Sequence, residues 1–344
     1  MGQASLRVRA RSLGRSLPPG MALAVWLLAL GSGAAPQNPN PPNVQAHKGE
    51  RHGADAPFQL PTQHSQTPAS DDESQGAPKK TFVDMTPGQL AKLVPELKHL
   101  QPAENQDLLP QILKGAGAAV AAFFDNLAST TCTEQVTSMV GDALKSVEMH
   151  YDNKYNYVAL PQAGALKGHF REYRTNANGQ PVEPDVKAGV VTVGFDSMSV
   201  HFYPDYQPDS VFRYLGRAPM ENQDTYVVAF AQRPQRARQT AYANFFGRRG
   251  TLYMQGVAWI EPTHFRILRL HLDLLRPEPT VGLQRETTVI LYSEVNFTEN
   301  ALTLWLPREV TVSGQLDKYV FHNHHRYSDY RLFKVQIEQK QDNH

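Results

Sequence analysis

The chain has 344 residues, with 34 Lys+Arg against 33 Asp+Glu and a single cysteine. This balance, with no basic block, excludes the electrostatic footprint of a nucleic-acid binder, and one cysteine excludes an intrachain disulfide. Stability must come from a core, and the chain beyond residue 80 is long enough to bury one.

Residues 1–34 read as a signal peptide. Arg7, Arg9, Arg11 and Arg15 stand without an acid, MALAVWLLAL (Met21–Leu30) is apolar, and Ser32-Gly33-Ala34 is small, the order of a secretory leader. The apolar run is too short to span a bilayer, which disfavours a retained anchor. Its removal takes away four of the 34 bases and no acid, turning a formal charge of +1 into −3. The expected location is periplasmic or secreted. Residues 35–80, rich in Pro, Gln, Asn, Ser and His, offer little to bury against chain entropy and read as a disordered linker. Their histidines (His47, His52, His64) follow no ligand spacing.

Residues 81–128 form a helical segment. Thr86-Pro87 is an N-cap with proline at the first helical position, opening a helix toward Leu100 that Pro95 breaks. A second helix is expected from about Ala103 to Leu127, with Ile112, Ala116, Val120, Phe123, Phe124 and Leu127 at helical spacing. Pro110 predicts a kink, and Gly115 and Gly117 predict weakness or close approach to a neighbour.

Residues 129–338 read as an antiparallel β domain, and 339–344 as a disordered tail. Strands are expected near Glu134–Val140, Ser146–Tyr151, Tyr155–Pro161, Gly168–Thr175, Val211–Arg217, Thr225–Gln232, Arg285–Phe297, Leu304–Gln315 and Lys318–Phe333. Val190–Tyr203 fits helix or strand. Gln235–Gly250, with Arg236, Arg238, Arg248 and Arg249 among Tyr242, Phe245 and Phe246, reads as a basic loop. The organising stretch is Leu252–Leu274, two strands hinged at Glu261-Pro262-Thr263-His264. Its return limb alternates Leu268, Leu270, Leu272 and Leu274 with Arg269, His271 and Asp273, one dry face and one wet. The outgoing limb is apolar at both parities, as in a strand buried on two sides. The fold class is α+β: a large curled antiparallel sheet (an incomplete barrel) preceded by helices that pack on it or plug it.

No catalytic signature is present. Phe195-Asp196-Ser197-Met198-Ser199 lacks the glycines of a nucleophile elbow, and Gly115-Ala116-Gly117 lacks the rest of a dinucleotide fingerprint. Glu172, Glu261, Asp273, Glu286 and Glu309 read as a solvated scatter, and Cys132 as a small buried hydrophobe. His322 and His324 share a strand face and are weak metal candidates without further ligands. No cofactor is implied.

The runs YVVAFAQRP (Tyr226–Pro234), QGVAWIEP with RILRL (Gln255–Leu270), LWLPREV (Leu304–Val310) and HRYSDYRLF (His325–Phe333) resemble an uncharacterised family of exported bacterial proteins, over roughly Leu108 to Val335. That resemblance implies no activity. More distantly, the order of signal peptide, helix and strands around a Trp-Ile-acid-Pro hairpin is similar to the LolA/LolB-like lipoprotein-carrier superfamily. The second resemblance implies an incomplete barrel whose apolar mouth is closed by helices. The extra helix pair and the basic loop depart from that pattern.

The leading expectation is a non-enzymatic exported protein binding lipid, a lipoprotein acyl chain or another apolar ligand. Leu268, Leu270, Leu272 and Leu274 would line the site with Phe123, Phe124, Tyr226, Phe230 and Trp259. No nucleic acid and no membrane span after signal cleavage are expected. Two alternatives stay open: a cell-envelope interaction module with a packed core, and a hydrolase with an unrecognised site. N-terminal sequencing of the mature protein is expected to begin at or close to Ala35, and a mature chain retaining Arg7–Arg15 would exclude the leader.

Overall fold

The computed structural model describes residues 28–29, 80–127, 130–142, 145–161, 170–182, 192, 195–238, 240–245, 248–298 and 302–332. The linker, the C-terminal tail and all of the leader except residues 28–29 lie outside them.

Eleven strands form one antiparallel sheet. They are β2 (Gln101–Pro102), β3 (Thr130–Asp142), β4 (Lys145–Pro161), β5 (Phe170–Thr175), β6 (Ser210–Met220), β7 (Gln223–Gln232), β10 (Met254–Ile260), β11 (Ile267–Leu274), β12 (Leu283–Phe297), β13 (Leu302–Leu316) and β14 (Tyr319–Leu332). The order is β2-β6-β7-β10-β11-β12-β13-β14-β3-β4-β5, so among the described residues β2 and β5 end the sheet without meeting and the curled sheet is an open barrel. A small sheet joins β1 (Leu28–Ala29) to the hairpin of β8 (Ala241–Phe245) and β9 (Arg248–Leu252). If the leader is removed, that sheet is left as the β8–β9 hairpin alone.

Several sequence expectations change. The basic loop holds β8 and β9, with Arg249 over the Tyr242 ring at 3.8 Å, a cation–π contact that lets alternating aromatics form strand here. The two strands expected across 146–161 are one, because Asp152 and Asn153 stay paired with Thr137 and Val136. Residues 195–202 are a 3-10 helix, resolving the ambiguity there.

The tight turn Glu221-Asn222 joins β6 to β7 with φ of +48° and +64°, the left-handed pair that matches the twist of a hairpin. At the β10–β11 hinge, Glu261 accepts from the N–H groups of Thr263 and His264 at 2.7 Å each, satisfying backbone that Pro262 takes out of the ladder.

β10 is buried at every residue, because both faces of the sheet are covered. On the inner face lies α2 (Leu109–Leu127) with the 3-10 helix. Pro110 sits in the first turn of α2, where no intrahelical donor is needed, so it starts the helix without a kink. Gln106 pins the approach to α2 by exchanging two hydrogen bonds with the Tyr214 backbone at 2.8 and 2.9 Å. On the outer face, residues 81–100 form a strap. Its α1 (Pro87–Leu90) carries the expected N-cap, closed by a reciprocal Thr86–Gln89 box, and a 3-10 turn follows at Pro95–His99. Phe82, Leu90, Val94 and Leu97 of the strap pack on Val227, Ala229, Val257 and Trp259.

The face expected to be wet is therefore partly dry. Arg269 pairs with Glu96 of the strap and lies 5.5 Å from the Trp259 ring, and His271 is buried beside Phe82. Leu270→Asp is expected to cost several kcal/mol, as an unpaired charge in the inner core. Phe82→Ala should cost about 3–5 kcal/mol through the strap. Arg269→Asp should lose roughly 1–2 kcal/mol, with amide exchange accelerated in residues 81–100 before the sheet. Equal exchange in strap and sheet would mean the strap is not a separate layer.

Candidate functional site

Across the inner face the register aligns Val228, Ala258, Leu270, Ile290, Val310 and His325 in one row. The row is apolar beneath α2 and turns polar at β14. The apolar half holds most of the expected ligand residues: Leu270, Leu272, Leu274, Phe230 and Phe124 share one core, with Phe123 and Tyr226 half-buried against it. Two others are placed elsewhere. A bulge opposite Trp259/Ile260 shifts the register, so Ile267, not Leu268, joins the inner core. Trp259 points outward, under the strap. One strand residue cannot serve both faces, and the parity of β10 assigns Trp259 to the outer one.

Small residues seat α2 closely. A side chain at Gly115 would strike the Phe265 ring, and one at Gly117 would lie 2.9 Å from Gln207. Phe265 comes from the β10–β11 hinge, holds φ at +57° and stacks on Tyr226 at 6.2 Å. A non-glycine residue in that region costs of order 1 kcal/mol, and here it aims a ring at the helix. Gln207 donates to the carbonyls of Leu113 and Phe202 at 2.8 and 2.7 Å, tying α2 to the 3-10 helix. At the far end, Phe124 meets Phe170 and Tyr203, and Phe123 lies edge-on to Tyr292 at 6.0 Å. The seam between α2 and β11–β13 holds a cavity of about 40 Å³, lined by Val120, Phe123, Ile267, Tyr292 and Trp305 among others.

The polar half contains a buried network that no sequence motif announced. Glu134 is fully buried, and Arg174 grips it with Nε to Oε2 at 2.5 Å and Nη2 to Oε1 at 2.8 Å. His325 Nδ1 lies 2.9 Å from Glu134 Oε1, and its Nε2 lies 2.8 Å from Thr192 Oγ1. Burial pushes the Glu134 carboxyl up, but the charge and hydrogen bonds of Arg174, with those of His325, outweigh it and hold it at about 2. Burial pushes His325 down against the hydrogen bond and charge of Glu134. Hydroxyl, imidazole and carboxylate are connected as in an acyl-transfer triad. Thr192, however, is 1 % exposed and accepts a bond from Asn323 Nδ2, leaving its oxygen no approach for a substrate. The network is a clamp that ties Thr192 to β3, β5 and β14. Parity was its available signal: Glu134 stands in the dry set Thr130, Cys132, Val136, Ser138, Val140.

Glu286 repeats that signal on β12, in step with Thr288, Ile290 and Tyr292. Neither carboxylate oxygen meets a donor at bonding geometry. Burial, then the charge of Asp273, push it up to about 8 against a pull from Thr288. Both acids were expected on a surface or went unremarked, since composition carries no information on parity.

His322 and His324 lie on the outer face. His322 Nδ1 is 2.8 Å from Ser313 Oγ, and His324 Nε2 is 3.8 Å from Glu309. Among the described residues no three His, Cys, Asp or Glu side chains are grouped to hold a metal ion. Cys132 is buried and its thiol is pushed well up, by burial first and the Glu134 charge second, which makes it an inert core residue. No helix among the described residues is long and apolar enough to cross a membrane.

The two acids shape stability in opposite directions. Glu134, lowered from 4.5 to about 2, supports the fold above pH 4.5 and loses that support as pH falls toward 2. Glu286, raised from 4.5 to about 8, holds its proton in the fold while the unfolded carboxyl ionises, so stability falls as pH rises from 4.5 toward 8. Denaturant midpoints measured against pH should show Glu286→Gln removing a slope of up to ~1.4 kcal/mol per pH unit over that window. An unchanged slope in the variant would place the proton elsewhere.

No protein-family model and no curated protein sequence matches the chain. Solved structures similar to it include a domain assigned to outer membrane lipoprotein sorting from Vibrio parahaemolyticus, at 11% identity and a TM-score of 0.35 over 66% of this chain and 94% of that one. A DUF1329 family protein from Desulfovibrio piger is similar at 10% identity and a TM-score of 0.30, over 63% of this chain and 92% of its own. A LolA superfamily protein from Nitrosomonas europaea is similar at 10% identity and a TM-score of 0.27, over 64% and 94%.

Proposed function

We propose that this is an exported protein, periplasmic or secreted, that binds an apolar chain such as a lipid or lipoprotein acyl group between the inner face of the sheet and α2. The observation that carries this reading is the build of α2. It crosses an aromatic-rimmed apolar concavity, yet residues 115–119 are all Gly or Ala, and Phe265 and Gln207 latch it at two points. Glycines inside a helix cost about 1 kcal/mol each relative to alanine. Such a helix can lift at modest cost, and lifting it opens the seam lined by Ile267, Tyr292 and Trp305.

The closed seam, about 40 Å³, is far below the roughly 300 Å³ at which ligand pockets begin. Ligand entry must therefore displace α2. The same closed interior favours the second reading, an envelope interaction module whose core is permanently packed, and the two differ in whether α2 moves.

A fluorescent acyl probe should bind saturably at micromolar concentration, about −8 kcal/mol, with little dependence on salt because burial of apolar surface drives it. Phe265→Ala, which releases the latch, should speed probe association several-fold. Phe123→Ala with Phe124→Ala should alter access, and His322→Ala with His324→Ala should not. Absence of saturable binding, with circular dichroism unchanged, would leave the interaction-module reading.

A further inference from the structure

We propose that the outer face of the sheet carries a second site, separate from the acyl-chain interior, that receives a phosphate monoester bearing a short apolar tail. Strand register places two side-chain rows beside one another on that face. One runs Thr287, Ser313, His322 and Met139 across β12, β13, β14 and β3, and the next runs Arg285, Gln315, Val320 and Gly141. All of these except Gln315 line a cleft of about 300 Å³, within the size range of small-ligand sites. Gly141 contributes no side chain to its row, leaving a gap before Glu148 of β4, its partner in register.

The charges in and around the cleft favour an anion. Arg285 is exposed, lines the cleft and forms no ion pair with any described residue. Of the acids nearby, Asp273 accepts from Thr287 Oγ1 at 2.7 Å and faces His271 at 3.2 Å, and Asp142 faces Lys318 at 3.9 Å. Glu286, between Arg285 and Thr287, belongs to the opposite face.

Donors come from three strands. The 2.8 Å contact between Ser313 Oγ and His322 Nδ1 leaves one donor for the cleft in either tautomer. If Ser313 donates, His322 Nε2 carries its proton outward, and if His322 donates, the Ser313 hydroxyl is released. Arg285 adds a planar fork from β12, two strands and about 10 Å from β14, a gap its long side chain can close. The Arg285 fork and the one donor left by the Ser313–His322 pair approach from separate strands, as terminal oxygens of a tetrahedral phosphate require. Met139 and Val320 at the other end of the rows give an apolar tail somewhere to lie.

The test uses full-length protein and hexyl phosphate, followed by histidine and methionine-methyl NMR. Hexyl phosphate should shift His322 and Met139 saturably, and hexanol should not. Arg285→Gln and His322→Gln should each weaken binding at least tenfold while the melting temperature stays within a degree or two of the parent. A probe of the inner face should be unaffected by either substitution, so failure here and failure of the acyl-chain reading are separable. Vesicles containing phosphatidic acid should shift the same residues if the ester is a membrane lipid, and should not if it is soluble, both results supporting the site. Equal shifts from hexanol, or full affinity in Arg285→Gln, would overturn the proposal.

Discussion

The centre of the sheet is buried on both faces, and the arrangement of the rest follows from that. Val228, Phe230, Ala258 and Ile260 point inward while Val227, Ala229, Val257 and Trp259 point outward, and all eight are inaccessible to water. An antiparallel sheet commonly leaves one face wet; this one cannot without exposing a contiguous apolar patch. The chain before β3 is divided accordingly, the strap to one face and α2 to the other. The strap also brings polar backbone onto an apolar surface. Gln255 Oε1 accepts from Phe82 N–H at 2.9 Å, and Arg213 donates to the carbonyls of Val83 and Met85 at 3.2 and 2.8 Å. Long side chains of the sheet thus satisfy the strap where strand pairing is unavailable.

The same inner face buries Glu134 and Glu286, and their surroundings decide what each does. Glu134 has a guanidinium at bidentate distance and remains ionised; Glu286 has none and keeps its proton. A paired buried ion is weak evidence for stability, because desolvation offsets much of the attraction. What the Glu134 cluster supplies is geometry. It joins β3, β5 and β14 to Thr192 through atoms that fit one arrangement, fixing the end of the sheet farthest from the hinge. At the hinge end, Phe265 and Glu261 supply the fixation.

Much of this architecture was legible in the sequence because strands and caps are local. The alternation in β11, the turn at Pro262 and the Thr86-Pro87 start all depend on a few neighbouring residues. The reading failed where the deciding partner was distant in sequence. Arg269 reads as solvated until Glu96 and Trp259 are known to surround it, and Trp259 reads as a ligand contact until the strap is known to cover it. A single bulge moved Leu268 out of the inner row, since side-chain period two reverses after one extra residue. The clamp was hidden for the same reason: Glu134, Arg174 and His325 are far apart in the chain, and only register brings them together.

Composition makes α2 suited to both closing and yielding. A leucine-rich helix on the same surface would fill the concavity with branched side chains and become permanent core, whereas Gly115–Ala119 bring backbone close to the hinge while adding little buried area. Burial contributes roughly 25 cal/mol per Å², so a slender helix is held by less apolar contact than a bulky one of equal length. The aromatics gathered at its C-terminal end, Phe123 and Phe124 with Tyr203, Phe170 and Tyr292, concentrate the attachment there. Glycine in the middle, one ring latch on the hinge side and an aromatic cluster at the other end are the contacts that seat α2.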